Sequence, residues 1–328
     1  MRSLAELTTL RVGGTPNSLV VATSESEIIE AVSANPNALI LGGGSNVLVS
    51  DNFQGDVIKI ESQGFENDES ACAGAWVTVA AGHNWNDFVA TAVANGWTGI
   101  EGLAGIPGTV GATPIQNVGA YGQSVSETIA QVRAWNRKTK SVDTIFAADC
   151  EFGYRTSVFK AKPDTWVILS VTFQLPLGTM SAPIAYNELA AKLKVELGDR
   201  VSTSDLQTAV LELRAGKGMV LDSTDHDTWS VGSFFMNPRV TTAPENAPHW
   251  PETDGTVKVS AAWLIEQAGF NKGFTLNGRA ALSGKHTLAI TNRGDATSAD
   301  ISELADHIVA GVKAKFDIEL KPEATFIN

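Results

Sequence analysis

The sequence predicts an α+β protein in three parts. Short β-like runs are interleaved with single amphipathic helices, two glycine clusters punctuate the first half, and a small glycine-rich hinge precedes a third set of elements. In the first part, residues 1–62, Val20–Val21 and Ala38–Leu41 read as strands. Between them Ser24-Glu25-Ser26-Glu27 has the capping-box pattern, with Ile28 and Val32 on one helical face. Val47–Val49 and Val57–Ile60 follow as strands. In the second part, 63–213, the acidic run Glu66–Ser70 reads as a turn and Trp76–Ala80 as a strand. Trp85, Phe88, Val89, Ala92 and Val93 form a helical stripe that Gly96 ends. Ile129–Trp135, Val142–Phe146 and Trp166–Leu175 are β-rich. Leu206, Val210 and Leu213 mark a helix running into Arg214-Ala215-Gly216-Lys217-Gly218, the expected hinge. In the third part, 214–328, Ile301, Leu304, Ala305, Ile308, Val309, Val312 and Phe316 share one helical side. A final strand is expected at Asp317–Leu320.

Composition narrows the class. At 328 residues, 43% hydrophobic and 7% aromatic, the chain fits an ordinary globular protein with sizeable cores. Its net charge of −12 argues against a broad nucleic-acid or anionic-membrane surface, though a few placed cations and backbone amides suffice for a small anionic ligand. The two cysteines, Cys72 and Cys150, are expected as buried thiols of a reducing compartment. The N-terminal stretch shows no apolar h-region, and no apolar run approaches the ~18 residues that span a bilayer. A cytoplasmic protein is expected. The five histidines have no metal-ligand spacing, so no metal is expected.

The stretch Gly105–Gly122, GIPGTVGATPIQNVGAYG, is the densest signal. Glycine costs stability where ordinary structure would serve, so this concentration points to unusual backbone angles or close ligand approach. Successive N–H groups there can form a nest for an anion. Gly42-Gly43-Gly44-Ser45-Asn46, flanked strand–turn–strand, can do the same. Neither is a Rossmann fingerprint, and a pair of tight turns satisfies the pattern equally well. Two such loops suggest a diphosphate-bearing cofactor.

Three further segments carry chemistry. Phe152-Gly153-Tyr154-Arg155-Thr156-Ser157 offers a guanidinium suited to a carboxylate or phosphate, or simply an arginine on a surface turn. Val231-Gly232-Ser233-Phe234-Phe235-Met236-Asn237-Pro238 sets a serine before two aromatics, where its hydroxyl can donate a proton; an ordinary strand-end serine also fits. Glu323 stands in an otherwise apolar terminal run, either on a solvent-facing edge or placed for function. Tyr186, in a connecting loop, suits either a ligand cover or a packing anchor.

The order of these segments resembles the bacterial UDP-N-acetylenolpyruvoylglucosamine reductases, flavoenzymes of peptidoglycan precursor synthesis. The resemblance runs from Thr9-Leu10-Arg11-Val12-Gly13-Gly14 to Pro322-Glu323, through LGGGSNVLV, GIPGTVGATPIQNVGAYG, FGYRTSVF, GSFFMNP, AAWLIEQAG and KPEATFI. It implies a two-lobed FAD-binding domain of the vanillyl-alcohol-oxidase/PCMH type (1–62 and 63–213) and a C-terminal α+β domain for the UDP-sugar (214–328). FAD would be held non-covalently and NADPH would be the hydride donor. The substrate would be UDP-N-acetylglucosamine enolpyruvate, and a monomer without nucleic-acid or membrane partners is expected.

Carried over residue by residue, the resemblance makes Arg155, Ser233 and Glu323 the catalytic set. Arg155 would grip the substrate carboxylate, Ser233 would give the proton, and Glu323 would orient or polarise the enol ether. Gly42, Gly43, Gly44, Ser45, Asn46, Gly105, Gly111, Ala112, Ile115 and Gly119 would cradle FAD. Tyr186 would cover the substrate, with Lys217, Asn237 and Lys272 near its diphosphate. Met236 stands where many relatives carry a lysine. Two rivals remain: an oxidase on the same fold, against which stands the absence of His from both glycine loops, and a non-catalytic nucleotide-sugar binder.

Overall fold

A computed structural model describes residues 2–328, which divide into two compact units that are not consecutive in sequence. One comprises Asn17–Gly43 and Gly55–Ala215; the other comprises the residues up to Pro16, Gly44–Gln54 and Gly216–Asn328.

The first of these holds a parallel sheet ordered Ser18–Ala22, Asp56–Ile60, Leu39–Leu41, joined by the helix Glu25–Ala34. Ser24 caps that helix through the Glu27 N–H. Glu27 itself turns to the N–H and hydroxyl of Thr23, so only half of the expected capping box forms. An antiparallel sheet follows, ordered Ser141–Phe146, Ile129–Asn136, Trp166–Leu175, Gly74–Ala80, Phe65–Ser70. Its central strand Trp166–Leu175 is buried along most of its length, whereas Ala75, Val77 and Val79 alternate inward against Trp76 and Thr78. The helix Trp85–Ala94, capped by Asn84, lays Trp85 and Phe88 on Phe173, with ring centroids 5.1–5.9 Å apart. Burying each such ring contributes about 1.5–3 kcal/mol.

Two expectations for this unit are corrected. The acidic run read as a turn is the strand Phe65–Ser70, wholly exposed and paired with Gly74–Ala80. Its charges disguise it because it is an edge, where acidic side chains blunt further pairing; Glu69 also accepts from the Trp97 indole at 3.0 Å. Cys72 is exposed in the hairpin turn. Only Cys150 is buried, and that burial pushes its thiol up to about 12.

The other unit pairs Val47–Val49 in parallel with Thr325–Ile327, across nearly the whole sequence. It adds the sheet Arg239–Val240, Val257–Val259, His249–Pro251 and the hairpin Ala280–Leu282 with Ile290–Asn292. The helix Ser298–Phe316 buries Ile301, Leu304, Ala305, Ile308 and Val312, as its periodicity predicts. Asp317 ends it at φ 55°, so no strand forms over Asp317–Leu320. Ile318 and Leu320 are buried in the core without a ladder, and the terminal strand comes later. The helix Thr203–Gly216 continues through the start of the expected hinge, and the division between units falls at its last residue.

A true capping box starts the long helix: Thr297 and Asp300 satisfy each other. Burial disfavours the Asp300 carboxylate. The Thr297 hydroxyl at 2.6 Å and N–H at 2.8 Å, Arg279 at 2.6 Å and Asn277 at 2.7 Å outweigh it and bring the carboxyl down to about 2. A folded pKa below the unfolded ~3.9 stabilises the ionised state by about 2 kcal/mol at neutral pH. That contribution is full above pH ~4 and is lost as pH falls toward ~2. Asp300→Asn is therefore expected to cost stability at pH 7, with the gap from wild type narrowing on acidification. Denaturant midpoints at pH 7 and pH 3 check this, and a gap independent of pH would contradict it.

Candidate active site

Gly42 and Gly43 of the first glycine cluster meet the second cluster within one unit. A Cβ on Gly43 would stand 2.6 Å from the Gly108 Cα, and one on Gly42 would stand 2.7 Å from the Thr109 hydroxyl. Only glycine permits this approach. Main-chain bonds lay the second loop down: Trp85 N–H donates to Gly108 O (3.1 Å), Val110 N–H to His83 O (2.9 Å) and Gly111 N–H to Ala81 O (2.8 Å). A Cβ on Gly111 would lie 2.6 Å from that of Ala81. Gly105 N–H donates to Asn86 Oδ1 at 2.6 Å. Buried Glu101 and Gln123 tie the stretch further, through Gly99 N–H, Gly102 N–H and each other. Ala112 is half-buried and Ile115 exposed. A bare, closely packed backbone of this kind fits the approach of a diphosphate or a flat ring system.

Sequence reading missed a contributor here. Lys59 Nζ donates to Gly42 O at 2.5 Å and so holds the first loop. Burial lowers the Lys59 pKa, against the nearby charge of Glu61. The only sequence clue is a lysine inside the apolar strand Asp56–Ile60.

Arg155 sits in a tight turn closed by Gly153 and Thr156, at φ 55°. Its guanidinium donates to Gly119 O at 2.9 Å and Asn117 O at 3.4 Å. Asn117, itself at φ 47°, returns a bond to Gly153 O at 3.2 Å, and Ser157 Oγ donates to Ile115 O at 2.6 Å. The FGYRTSVF and glycine-rich segments are therefore one structure, and the arginine is oriented by carbonyls rather than left on a surface turn. Left-handed backbone at Asn117, Tyr121 and Arg155 is strain of the kind that gathers at functional sites.

Tyr186, exposed, immediately precedes the helix Asn187–Leu193, and its ring lies edge-on to Tyr121 at 6.2 Å. Burial raises the Tyr121 pKa; the Arg214 cation opposes this and Glu188 adds to it. Arg214 is buried and brought down to about 10 by that burial, with Tyr121 acting in the opposite direction. Neither Tyr121 nor Arg214 stands out in the sequence, because each lies inside a segment whose signal is its glycines.

The remaining candidates belong to the other unit. Ser233 is half-buried after Gly232, which takes φ 74°, and before the fully buried Phe234 and Phe235. Glu323 N–H donates to Phe234 O at 2.8 Å and Met236 N–H to Lys321 O at 2.9 Å, so the GSFFMNP and KPEATFI segments run antiparallel as neighbours. Asn46 joins them. Its carbonyl accepts from Thr325 N–H at 3.0 Å and its amide donates to Glu323 O at 3.4 Å. Gly44, at φ 63°, packs where a Cβ would meet Leu7 O, and half-buried Ser45 follows. Asn237 Oδ1 accepts from Ala261 N–H at 2.9 Å, supporting the helix Ala261–Gln267. Lys217 is half-buried. Lys272 is exposed in a turn, and among the described residues no hydrogen bond ties it to Ser233, Asn237 or Glu323. No cluster of metal-ligating side chains occurs among the described residues, and no helix is long and apolar enough to cross a membrane.

Residues 16–144 match the FAD binding domain family, and residues 223–327 match the C-terminal domain of UDP-N-acetylenolpyruvoylglucosamine reductase. The UDP-N-acetylenolpyruvoylglucosamine reductase of Cutibacterium acnes is 52% identical over 334 residues, covering 99% of this chain and 89% of the relative. That of Salinispora arenicola is 48% identical, covering 99% and 94%. The crystal structure of the Thermus caldophilus enzyme superposes with a TM-score of 0.71 at 23% identity, over 100% of this chain and 98% of that one, so the two share a fold. The α+β architecture expected above, an FAD-binding domain with a C-terminal α+β domain, is that of this chain. The chain belongs to the UDP-N-acetylenolpyruvoylglucosamine reductase family, FAD-dependent oxidoreductases of peptidoglycan precursor synthesis.

Proposed function

We propose that this chain reduces the enolpyruvyl ether of UDP-N-acetylglucosamine enolpyruvate to UDP-N-acetylmuramate at the expense of NADPH, as a cytoplasmic monomer. The observation that carries the reading is the Glu323 N–H bond to Phe234 O. It sets a hydroxyl and a carboxylate on neighbouring antiparallel segments, as an acid and its polarising partner require.

Bound non-covalently and reduced by NADPH, FAD would supply the hydride chemistry at the terminal vinyl carbon. Gly42, Gly43, Gly105, Gly111, Ala112, Ile115 and Gly119, with Gly44, Ser45 and Asn46, are the residues that would hold it, and the close-packed glycine backbone supports this. Hydride addition leaves an electron pair on the carbon bearing the carboxylate. Arg155, held by Gly119 O and Asn117 O, grips that carboxylate and spreads the charge. Ser233 gives its hydroxyl proton to the same carbon, completing the lactyl ether. Serine is a feeble acid, but the carbanion-like centre is a strong base, so placement governs the step. Glu323 polarises the ether. Tyr186 covers the substrate, while Lys217, Asn237 and Lys272 receive its diphosphate. Asn237 keeps its amide NH2 for this role because Oδ1 is already engaged. Functionally, residues 1–62 and 63–213 act as the two flavin lobes and 214–328 as the substrate domain.

The test is anaerobic. The FAD-loaded protein is reduced with NADPH and mixed with the enolpyruvyl sugar nucleotide while the flavin's visible absorbance is followed. Rapid reoxidation with stoichiometric UDP-N-acetylmuramate is expected. Reduction that persists until oxygen is admitted would overturn the substrate assignment.

A further inference from the structure

Ser233 owes its placement to a short run that precedes it, Trp229-Ser230-Val231-Gly232, and that run is braced by the N-terminal segment. The Arg11 guanidinium carbon lies 3.8 Å from the Trp229 ring centroid. The His226 ring approaches the same indole at 4.1 Å. One residue on, Thr9 Oγ1 donates to Ser230 O at 2.7 Å. Ser230 Oγ then accepts from Gly232 N–H at 3.1 Å, across the left-handed glycine that delivers Ser233. Asn292 closes the bracket. Its amide donates to Leu10 O and Arg11 O at 3.2 and 3.1 Å, and its N–H donates to Trp229 O at 3.0 Å.

Arg11 itself takes φ 56°, a backbone state that a long side chain adopts only when its surroundings hold it there. Thr8 and Asn292 supply that hold, since Arg11 N–H donates to Thr8 O at 3.3 Å. The N-terminal segment therefore grips the run twice: once through a ring by a cation, and once through a carbonyl by a hydroxyl.

We infer that Arg11 and Thr9 are positioning residues for the Ser233 hydroxyl, acting through Trp229 and Ser230. This rests on Ser233 as the proton donor. A proton donor of low acidity works only when well placed, and a misplacement of about 1 Å is enough to cost about 100-fold. Because neither residue touches the reacting atoms, their loss should slow the proton-coupled step and spare the reaction with NADPH.

The experiment compares FAD-loaded Arg11→Ala, Arg11→Lys, Thr9→Val and Ser233→Ala with wild type, measuring each half-reaction separately and repeating the second in deuterated water. For Arg11→Ala and Thr9→Val the reaction with the enolpyruvyl substrate is expected to slow by about 10- to 100-fold. KM should stay near wild type, the NADPH half-reaction should be unchanged and the solvent isotope effect should be larger. Arg11→Lys, which keeps a cation for the ring, should recover most of the rate. An unaltered second half-reaction, or both halves falling together with FAD content and thermal stability, would overturn the inference. Thr9→Val decides the matter alone if Arg11→Ala does not fold. Ser233→Ala separates the two levels. If it fails to slow the second half-reaction, the reading of Ser233 is wrong; if it slows that step and the bracing variants do not, the bracing inference is wrong.

Discussion

Ser233→Ala is expected to slow the reaction of the reduced protein with its enolpyruvyl substrate by about 10²–10⁴-fold, the range for removing a positioned general acid. The reaction with NADPH should be nearly unchanged. The substitution is a clean one. Ser233 is only half-buried, alanine fills almost the same space, and the bonds that set its backbone all run through neighbouring residues. Phe234 and Phe235 anchor the segment on the core side irrespective of the residue at 233. A fold defect would lower both half-reactions and the FAD content together. A lost proton donor lowers one half-reaction only, and its residual rate should show a different pH dependence because water must then supply the proton. Stopped-flow absorbance of each half-reaction makes the distinction. Equal slowing of both would remove Ser233 from the role proposed for it.

The same region shows what local sequence pattern conveys and what it does not. Helical faces such as Trp85–Phe88–Val89 and Ile301–Leu304–Ile308 were legible because burial follows a 3.6-residue period within one element. The chemistry-bearing side chains were legible by type, since an arginine, a serine and a glutamate in glycine- or aromatic-rich settings are unusual. The bonds that give them a setting were not. Arg155 to Gly119 O and Glu323 N–H to Phe234 O each join segments distant along the chain, and no local pattern encodes such a partner. The discontinuous units have the same origin. Val47–Val49 reads as one more strand of the first part until its partner, Thr325–Ile327, is known. Where strand propensity misled, solvent was the reason. Phe65–Ser70 is a strand made of exposed residues at an edge, and Asp317–Leu320 alternates like a strand because Ile318 and Leu320 are buried, not because it pairs.

Gly43→Ala is expected to weaken FAD binding by about 10- to 100-fold and to lower the flavin content of the purified protein, as overpacking of about 1–3 kcal/mol at this contact implies. The added Cβ would lie 2.6 Å from the Gly108 Cα and 3.1 Å from its carbonyl carbon. Both are backbone atoms, so no rotamer change relieves the clash, and the two loops must separate. Each loop is fixed elsewhere, Gly42 by Lys59 and the second loop by its bonds to Ala81, His83 and Trp85. The displacement therefore falls on the Gly43–Gly108 contact itself. Gly216→Ala is the matched control. No neighbouring atom within 4 Å would meet its Cβ, its φ is not left-handed, and it ends the helix Thr203–Gly216, so it should keep its FAD and gain up to about 1 kcal/mol of stability. The ratio of flavin to protein absorbance after gel filtration reads the outcome, together with thermal midpoints with and without added FAD. Added FAD should raise the midpoint of stripped wild type and of the control, and raise that of Gly43→Ala by less. A Gly43→Ala protein that purifies fully loaded would mean that the contact between the glycine loops is structural and that the cofactor is held by other residues.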